Sequence, residues 1–158
     1  MSLNTRGQQI FEVVDGNSIL RPAKIGIGVT TYNRPHSLDR WIDKLAEVTD
    51  LRGVKMIIAD DSDDRKGVAF RKNQCLRHLK DCDYVFLFDD DCYPIKKGWV
   101  DIFINSKEEH LMYLDPKFHR LKDNYLNVDV YYDCGGVMLF MKKSAIERDF
   151  CFLNFLKA

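Results

Sequence analysis

Three apolar runs dominate the middle of the chain and set its predicted framework. They are Lys24 to Thr30, Val54 to Ala59 and Tyr84 to Phe88, and each contains β-branched or aromatic residues. Short, nearly continuous apolar runs are typical of strands that are buried on both faces, as in parallel sheets. The pattern therefore predicts three core strands.

The segments between these runs change to a helical period. From His36 to Val48 the apolar residues recur at helical steps, and Ser37 or the turn before it is a candidate cap. A second helix is predicted from about Gly67 to Leu79. Each helix thus has one apolar face that can cover a sheet. The predicted inner faces contain Leu38, Trp41, Ile42, Leu45 and Val48 in the first helix, and Val68, Cys75, Leu76 and Leu79 in the second.

The alternation of strand and helix predicts an α/β fold with a mainly parallel central sheet and helices on both faces. Its crossover connections should be right-handed. Residues 24–158 are assigned to this one domain, which is an ordinary length for a single core. Residues 1–23 are predicted to be a hairpin extension that ends at Pro22, because Asp15-Gly16 lies between two apolar stretches.

Beyond Pro94 the periodicity is weaker, and four shorter elements are predicted. One is a short helix around Trp99 to Phe103. The other three are strands at Leu111 to Leu114, at Val128 to Tyr132 and at Gly136 to Met141. The stretch from Asp115 to Asn127 has no clear period, so we expect a loop there.

Carboxylates follow two of the predicted core strands directly. Asp60 to Asp64 follows the second strand, and Asp89-Asp90-Asp91 ends the third. In α/β sheets, ligands bind at the carboxyl ends of the strands. Adjacent carboxylates repel one another, and Mg²⁺ or Mn²⁺ would neutralise them while sharing the phosphates of a substrate. The alternatives are an acidic surface turn at the third strand and, at the second, a solvated turn that caps the next helix.

Composition narrows the classes of partner. The 24 basic and 24 acidic residues cancel, so the net charge gives no reason to expect a nucleic-acid partner. The five cysteines form no C-x-x-C pair and have no ligand spacing to the histidines, which predicts free thiols rather than a zinc site. No apolar run is long enough to span a bilayer. We therefore expect a cytoplasmic protein, with peripheral membrane association as an alternative.

Five motifs in the same order resemble the family 2 glycosyltransferases, nucleotide-diphospho-sugar transferases of the GT-A fold. The acidic run Asp89 to Asp91 is similar to their D-x-D metal motif. One departure is Lys72, which stands where the helix pattern of the family has an arginine. The resembling segments are Gly28 to Pro35, Ile58 to Ser62, Gly67 to Leu76, Phe88 to Asp91 with Pro94 and Gly98-Trp99 after it, and Gly135 to Ser144.

The resemblance implies transfer of a hexose from a nucleoside diphosphate sugar, with UDP as the expected carrier and Mn²⁺ or Mg²⁺ as cofactor. Asp91, with Asp89, would hold the metal, although Asp89 could instead contact the ribose. Gly135 and Gly136 would lie on the acceptor side, or simply form a bend before a strand. The nucleotide side would comprise Thr30, Tyr32, Asp60, Asp61, Lys66, Arg71, Lys72, Asp89 and Asp90.

Within that set, Thr30 and Tyr32 would line the base pocket, or Tyr32 would only pack its loop. Asp61 or Asp60 would accept a hydrogen bond from the base. Lys66, Arg71 or Lys72 would reach the phosphates, unless the basic residues form a solvated helix face.

The chain departs from the family beyond the Gly135-Gly136 strand, because no E-D pair supplies a general base for the acceptor hydroxyl. Asp133, Glu147 and Asp149 are the remaining candidates, and no single one is favoured. We expect a domain that is truncated at its carboxyl end. The apolar run from Phe150 to Leu156 should dock on the domain or on a second copy of the chain, which would make a homo-oligomer.

Two other functions stay open. A degenerate domain that binds a nucleotide or a partner chain without turnover is consistent with the missing base. A sugar-phosphate nucleotidyltransferase would share the sheet, but it should carry a Gly-rich phosphate loop directly after the first strand. Thr30 to Asn33 occupies that place instead. The acceptor is not specified by the sequence.

Overall fold

The computed structural model describes residues 9–14, 17–113, 121–125, 128–131 and 137–149. Nine strands and four helices lie within these ranges, and they are numbered in chain order. The elements are β1 (Gln9–Val14), β2 (Asn17–Pro22), β3 (Ile25–Thr31), α1 (Pro35–Val48), β4 (Val54–Asp60), α2 (Val68–Leu79), β5 (Tyr84–Asp89), α3 (Trp99–Ile104), β6 (His110–Tyr113), β7 (Leu121–Tyr125), β8 (Val128–Tyr131), β9 (Met138–Lys142) and α4 (Lys143–Asp149).

The central sheet has five strands in the order β4-β3-β5-β9-β6. Strand β3 is parallel to both neighbours, and Val29 lies beside Ile58 of β4 and Phe88 of β5. Strand β9 runs antiparallel to β5 and to β6, so four strands share one direction and β9 opposes them. The predicted α/β fold with a mainly parallel sheet is confirmed.

The sheet buries a different set of side chains on each face. One cluster joins Trp41 and Leu45 of α1 to Phe86 and Phe88 of β5, with Trp99 of α3. The other joins Cys75 and Leu79 of α2 to Val85 and Leu87 of β5. Because alternate residues of β5 serve opposite faces, the buried residues Val85 to Phe88 are all apolar, and each full burial contributes about 1.5–3 kcal/mol. The helices on both faces are therefore confirmed.

Two glycines let α2 lie directly on the backbone of β3. A Cβ atom at Gly28 would lie 2.8 Å from the Cβ of Cys75, and one at Gly26 would lie 2.9 Å from the Sγ of Cys82. Both distances are shorter than van der Waals contact, so only glycine fits. The alternation of glycine with larger residues in β3 thus seats α2 on one face and α1 on the other.

The starts of both long helices differ from the prediction. Helix α1 begins at Pro35, whose fixed φ suits a first helical turn, and no side chain caps it, so Ser37 is not a cap. In α2, Val68 is 54% exposed, which corrects its assignment to the inner face. Arg71 is buried in its place. The reason is that Asp61 offers the guanidinium a buried partner, with Nε of Arg71 3.0 Å from Oδ1 of Asp61.

The secondary structure predicted after Pro94, where the periodicity is weaker, is partly wrong. The predicted loop from Asp115 to Asn127 contains β7, which pairs with β8 in a separate two-stranded sheet. The polar sequence of β7 lacks the apolar alternation of a half-buried strand, so pairing rather than pattern defines it. Strand β6 begins one residue before the predicted start, and β9 begins at Met138 rather than Gly136.

Strands β1 and β2 form an antiparallel hairpin where Asp15-Gly16 predicts one. The guanidinium of Arg21 donates two hydrogen bonds to the carboxylate of Asp83, with N–O distances of 2.7 and 2.8 Å. The backbone N–H of Lys24 donates a third, at 2.7 Å. This cluster fixes the end of the hairpin at the start of β5. The division of the chain into an extension and a domain stays a prediction.

The described cysteines carry free thiols: Cys75 and Cys82 are buried and Cys92 is half-buried. Burial raises the pKa of each of these thiols to about 11, so they stay protonated and unreactive near neutral pH. Within the described ranges, no helix has both the length and the apolar character needed to cross a membrane.

Candidate functional site

The carboxyl ends of β3, β4 and β5 meet at an open cleft of about 270 Å³. The register of the strands explains this. Thr30 of β3 lies beside Asp89, the last residue of β5, and beside Ala59, the last residue but one of β4. The acidic ends that the sequence placed on separate strands therefore share one edge of the sheet. The residues that line the cleft are Thr30, Thr31, Tyr32, Arg34, Asp61, Val68, Arg71, Asp89 and Asp91.

Asp89 ends β5 with its carboxylate between two donors. The hydroxyl of Thr30 donates to its Oδ1 at 2.9 Å, and the Nζ of Lys72 lies 3.0 Å from the same oxygen. The backbone N–H of Asp89 donates to the carbonyl of Val137, at the entry to β9. Asp89 and Lys72, two predicted site residues, are thus in contact.

Asp90 points inward and does not line the cleft. Its side chain is fully buried, and its Oδ2 accepts a hydrogen bond from the hydroxyl of Thr31 at 2.6 Å. Its Oδ1 lies 2.6 Å from Nη2 of Arg34 in an ion pair without an aligned hydrogen bond. This arrangement suits a role in holding the loops, and contact between Asp90 and a nucleotide stays a prediction.

Asp91 is the exposed member of the run, with 57% of its side chain accessible. Nη1 of Arg34 donates to its Oδ2 at 3.1 Å. The guanidinium of Arg34 therefore bridges the buried Asp90 and the exposed Asp91. The following loop is fixed where the indole N–H of Trp41 donates to the carbonyl of Cys92 at 2.8 Å.

The carboxylate of Asp61 is nearly saturated. It accepts hydrogen bonds from the backbone N–H groups of Lys66 and Gly67 and from Nε of Arg71, at 2.7, 2.8 and 3.0 Å. Burial raises the pKa of Asp61, but the bonds from Gly67, Arg71 and Lys66 outweigh it and hold the pKa below its usual value. Asp61 thus fixes the turn before α2, and a carboxylate with three bonds has about one acceptor position left for a ligand.

Tyr32 forms one wall of the cleft, and the residue is 39% exposed. The guanidinium of Arg65 lies 5.7 Å from the ring centroid, on the neighbouring loop. The two loops are joined where the backbone N–H of Asn33 donates to the hydroxyl of Ser62 at 2.9 Å. Ser62 in turn bonds to Asp60, which is exposed and lies outside the lining.

The other predicted basic residues occupy different surroundings. Arg71 is buried and, besides Asp61, it bonds to Asp64 and Gln74, so its charge is already engaged. Lys66 lies over the ring of Phe70, at 5.8 Å from the centroid, and does not line the cleft. Of the three predicted phosphate ligands, Lys72 is the one that forms an ion pair with the Asp89–Asp91 run among the residues that the structure describes.

The two candidate metal ligands suit an ion that a substrate also binds better than an ion held by protein side chains alone. Among the residues that the structure describes, no group of three or more histidine, cysteine, aspartate or glutamate side chains is arranged to hold a metal ion. Asp89 and Asp91 nevertheless face one cleft. Mg²⁺ is commonly held by one or two carboxylates together with substrate phosphates and water, and metal binding by this pair stays a prediction.

The acceptor side is only partly described. Glu147 lies on α4, which begins where β9 ends, beside Tyr84 and thus at the opposite end of the sheet from the cleft. It pairs with Lys143 at 3.7 Å and does not line the cleft. Four other predicted features lie outside the described residues or have undescribed side chains. These are Asp133, Asp149, the pair Gly135 and Gly136, and the apolar run from Phe150 to Leu156.

Arg34, which joins the first loop to the acidic run, was not among the predicted site residues. Its neighbours gave a signal, since Asn33-Arg34-Pro35 follows the first core strand directly. An arginine in that loop must lie at the same sheet edge as the acidic strand ends. Thr31 was likewise missed, although it follows Thr30 and supports Asp90.

No protein-family profile matches this chain, and no curated protein sequence matches it either. Two solved structures are similar in fold. One is a glycosyltransferase involved in the glycosylation of the major capsid of PBCV-1, with a TM-score of 0.55, 11% identity and coverage of 85% of this chain and 68% of that one. The other is A197 from STIV, with a TM-score of 0.52, 17% identity and coverage of 79% and 68%. The chain therefore has a glycosyltransferase-like fold.

Proposed function

We propose that this chain is a glycosyltransferase that takes a sugar from a nucleoside diphosphate, as family 2 members of the GT-A fold do. The observation that carries the proposal is the joint position of Asp89 and Asp91 in the cleft that Thr30, Tyr32 and Asp61 also line. A sugar nucleotide needs an aromatic or polar seat for its base and a cationic environment for its diphosphate. Both kinds of group lie within this one cleft.

On the nucleotide side, the exposed face of Tyr32 would stack on the base, and UDP is the expected carrier. Arg65, on the other loop, would support the ring from behind. Asp61 would accept one hydrogen bond from a base N–H at its remaining acceptor position. Because Asp61 is fixed by Lys66, Gly67 and Arg71, this contact would need no reorganisation.

On the diphosphate side, Asp89 and Asp91 would hold Mn²⁺ or Mg²⁺. The ion would act as a Lewis acid that stabilises the diphosphate as it leaves. The acceptor hydroxyl oxygen would form the new bond to the anomeric carbon while the bond to the diphosphate oxygen breaks, and its proton would pass to a base. Asp133 and Asp149 remain the sequence candidates for that base, with Glu147 placed away from the cleft.

Binding and donor hydrolysis test this function directly. The chain is titrated calorimetrically with UDP, GDP and ADP in the presence of Mn²⁺, and release of UDP from UDP-sugars is then followed. We expect selective retention of one diphosphate and slow release of free nucleotide by transfer to water. Asp91→Asn should lose this Mn²⁺-dependent retention. Asp81→Asn is its matched control and should keep it, because Asp81 is also an exposed carboxylate in an ion pair but contacts Lys55. Absence of nucleotide binding by the wild type would contradict the proposal.

A second candidate is a nucleotide-binding domain without turnover. It is favoured by one observation, that each carboxylate lining the described part of the cleft already contacts a cationic side chain. None of these three carboxylates is therefore poised as a general base. Retention of UDP with no donor hydrolysis, in the assay above, would select this function over the first.

A further inference from the structure

The carboxylates at the end of β5 already have cationic partners. Lys72 contacts Asp89, and Arg34 contacts both Asp90 and Asp91. The two cations come from different elements: Lys72 from α2 and Arg34 from the loop after β3. Three carboxylates therefore face two cations, and the group keeps an excess of negative charge.

A diphosphate cannot enter such a group favourably on its own. Its negative charges would meet Asp89 and Asp91 at the wall of the cleft, and like charges at close range repel strongly in a partly desolvated site. A divalent cation on these two carboxylates reverses the sign of the local charge. It also competes directly with Lys72 and Arg34 for the same oxygens.

Both cations lie close to the cleft: Arg34 lines it, and Lys72, which does not line it, contacts Asp89 at its wall. Both have long, flexible side chains, and 48% of the Arg34 side chain is exposed, so it can leave Asp91 without opening the core. Lys72 lies next to the buried Arg71 on α2, whose position is fixed by Asp61. The helix therefore holds the base of the Lys72 side chain in place while its ammonium group moves.

We propose that Arg34 and Lys72 are resident counter-ions of the acidic run, which turn from Asp91 and Asp89 to the donor diphosphate when a divalent cation binds. The Nη2 of Arg34 stays on the buried Asp90, so that carboxylate keeps its counter-ion. The inference rests on the proposed function and adds to it a coupling between metal and nucleotide. The metal alone binds weakly because it must displace two ion pairs. Nucleotide and metal together bind tightly because the displaced cations then gain phosphate partners, and the coupling acts equally in both directions.

The test compares Mn²⁺ affinity with nucleotide affinity in Lys72→Gln. Binding of Mn²⁺ alone is measured from the free-ion signal in electron paramagnetic resonance. Loss of one partly exposed ion pair should tighten Mn²⁺ binding by about fivefold, which corresponds to about 1 kcal/mol. Affinity for UDP in saturating Mn²⁺, measured by calorimetry, should weaken by about tenfold or more because a phosphate contact is lost. Opposite shifts in the two affinities are the expected signature.

Two controls isolate the effect of the counter-ion. Lys72→Arg keeps the charge and should leave Mn²⁺ affinity near the wild-type value. Lys55→Gln removes a lysine that is also ion-paired, with Asp81 at 2.7 Å, from the amino end of β4, and it should change neither affinity. If Lys72→Gln does not fold, Arg34→Lys provides a similar comparison at Asp91. It removes the second donor group, which contacts Asp91, and keeps one cation beside the buried Asp90.

The outcomes separate the two proposals. If the wild type retains UDP with Mn²⁺ but Lys72→Gln binds Mn²⁺ no more tightly, the counter-ion inference is overturned and the function stands. If Mn²⁺ binding tightens while UDP affinity is unchanged, Lys72 does not pass to the diphosphate and the inference is also overturned. If the wild type retains no nucleoside diphosphate, the proposed function fails and the inference fails with it.

Discussion

The two ends of β5 carry aspartates with very different surroundings. At the amino end, Asp83 is 7% exposed and accepts three hydrogen bonds, two from Arg21 and one from the backbone of Lys24. At the carboxyl end, Asp91 is largely exposed and has one contact, at 3.1 Å, with an arginine that it shares with Asp90. The same residue type is thus fully engaged just before β5 and weakly engaged just after it.

The difference indicates which carboxylates can exchange partners. Burial raises the pKa of Asp83, but the hydrogen bonds and charge of Arg21 and the N–H of Lys24 outweigh it, so the pKa lies below its usual value. Such a group stabilises the fold and has little to offer a ligand. A carboxylate with one exposed contact contributes little to the stability of the fold and can still bind a ligand. Asp61 lies between these cases, because its carboxylate is nearly saturated and also lines the cleft.

The largest stability effect should come from Asp83→Ala. Removing one partner of a buried ion pair leaves Arg21 without its carboxylate and should cost about 3 kcal/mol. The expected result is a lower urea midpoint with unchanged nucleotide affinity in the folded protein. Lys55→Gln, which breaks an exposed pair at the same end of the sheet, is the matched control and should cost far less. An unchanged midpoint for Asp83→Ala would mean that the cluster does not fix the hairpin.

An intermediate effect is expected for Asp61→Asn. The amide group must turn its N–H₂ toward at least one of the three donors from Lys66, Gly67 and Arg71, so two donors face each other. This should lower the free energy of unfolding, by less than Asp83→Ala does. Because the residue also lines the cleft, UDP affinity should fall as well. Chemical unfolding and calorimetry measure the two losses separately. A loss of affinity without a loss of stability would assign Asp61 to the ligand alone.

A smaller effect should appear in the pH dependence. The pKa values of Asp83 and Asp61 are lowered in the folded state, so the unfolded chain binds more protons as the pH falls below about 4. The free energy of unfolding should therefore fall in that window, and it should fall less in Asp83→Ala than in the wild type. Urea titrations at successive pH values test this. Parallel curves for the two proteins would contradict the role of Asp83.

The smallest stability effect should belong to Asp91→Asn, at about 0.5 kcal/mol or less, as for an ordinary surface change. The same substitution should abolish Mn²⁺-dependent retention of a nucleoside diphosphate. Thermal melting and filter retention measure the two properties. A loss of several degrees in the melting temperature of the apo protein would make Asp91 structural and would remove the main difference between the two ends of β5.

Sequence patterns predicted the core strands because these depend on local periodicity. They predicted the shared acidic edge because the carboxyl ends of parallel strands meet at one edge of a sheet. Asp61, Asp89 and Asp91 were brought together by that rule alone. The buried Arg71 could not be predicted, since a charged residue on an apparent inner face needs a partner from another element. Strand β7 was missed for a related reason: it is defined by its pairing with β8, which the residues of β7 alone do not indicate. Arg34 was missed because its contacts join two loops that are far apart in the chain.

The close seating of α2 on β3 restricts how this protein can be engineered. Replacing strand glycines by β-branched residues is a common way to stabilise a sheet, but at Gly28 even a methyl group would meet the Cβ of Cys75. The helix would have to shift, and Lys72, on the same helix as Cys75, would move with it relative to Asp89. A change made for thermostability in the core would therefore alter the ion pairs of the cleft. Directed-evolution libraries should hold Gly26 and Gly28 fixed and vary the face of β3 that packs on α1.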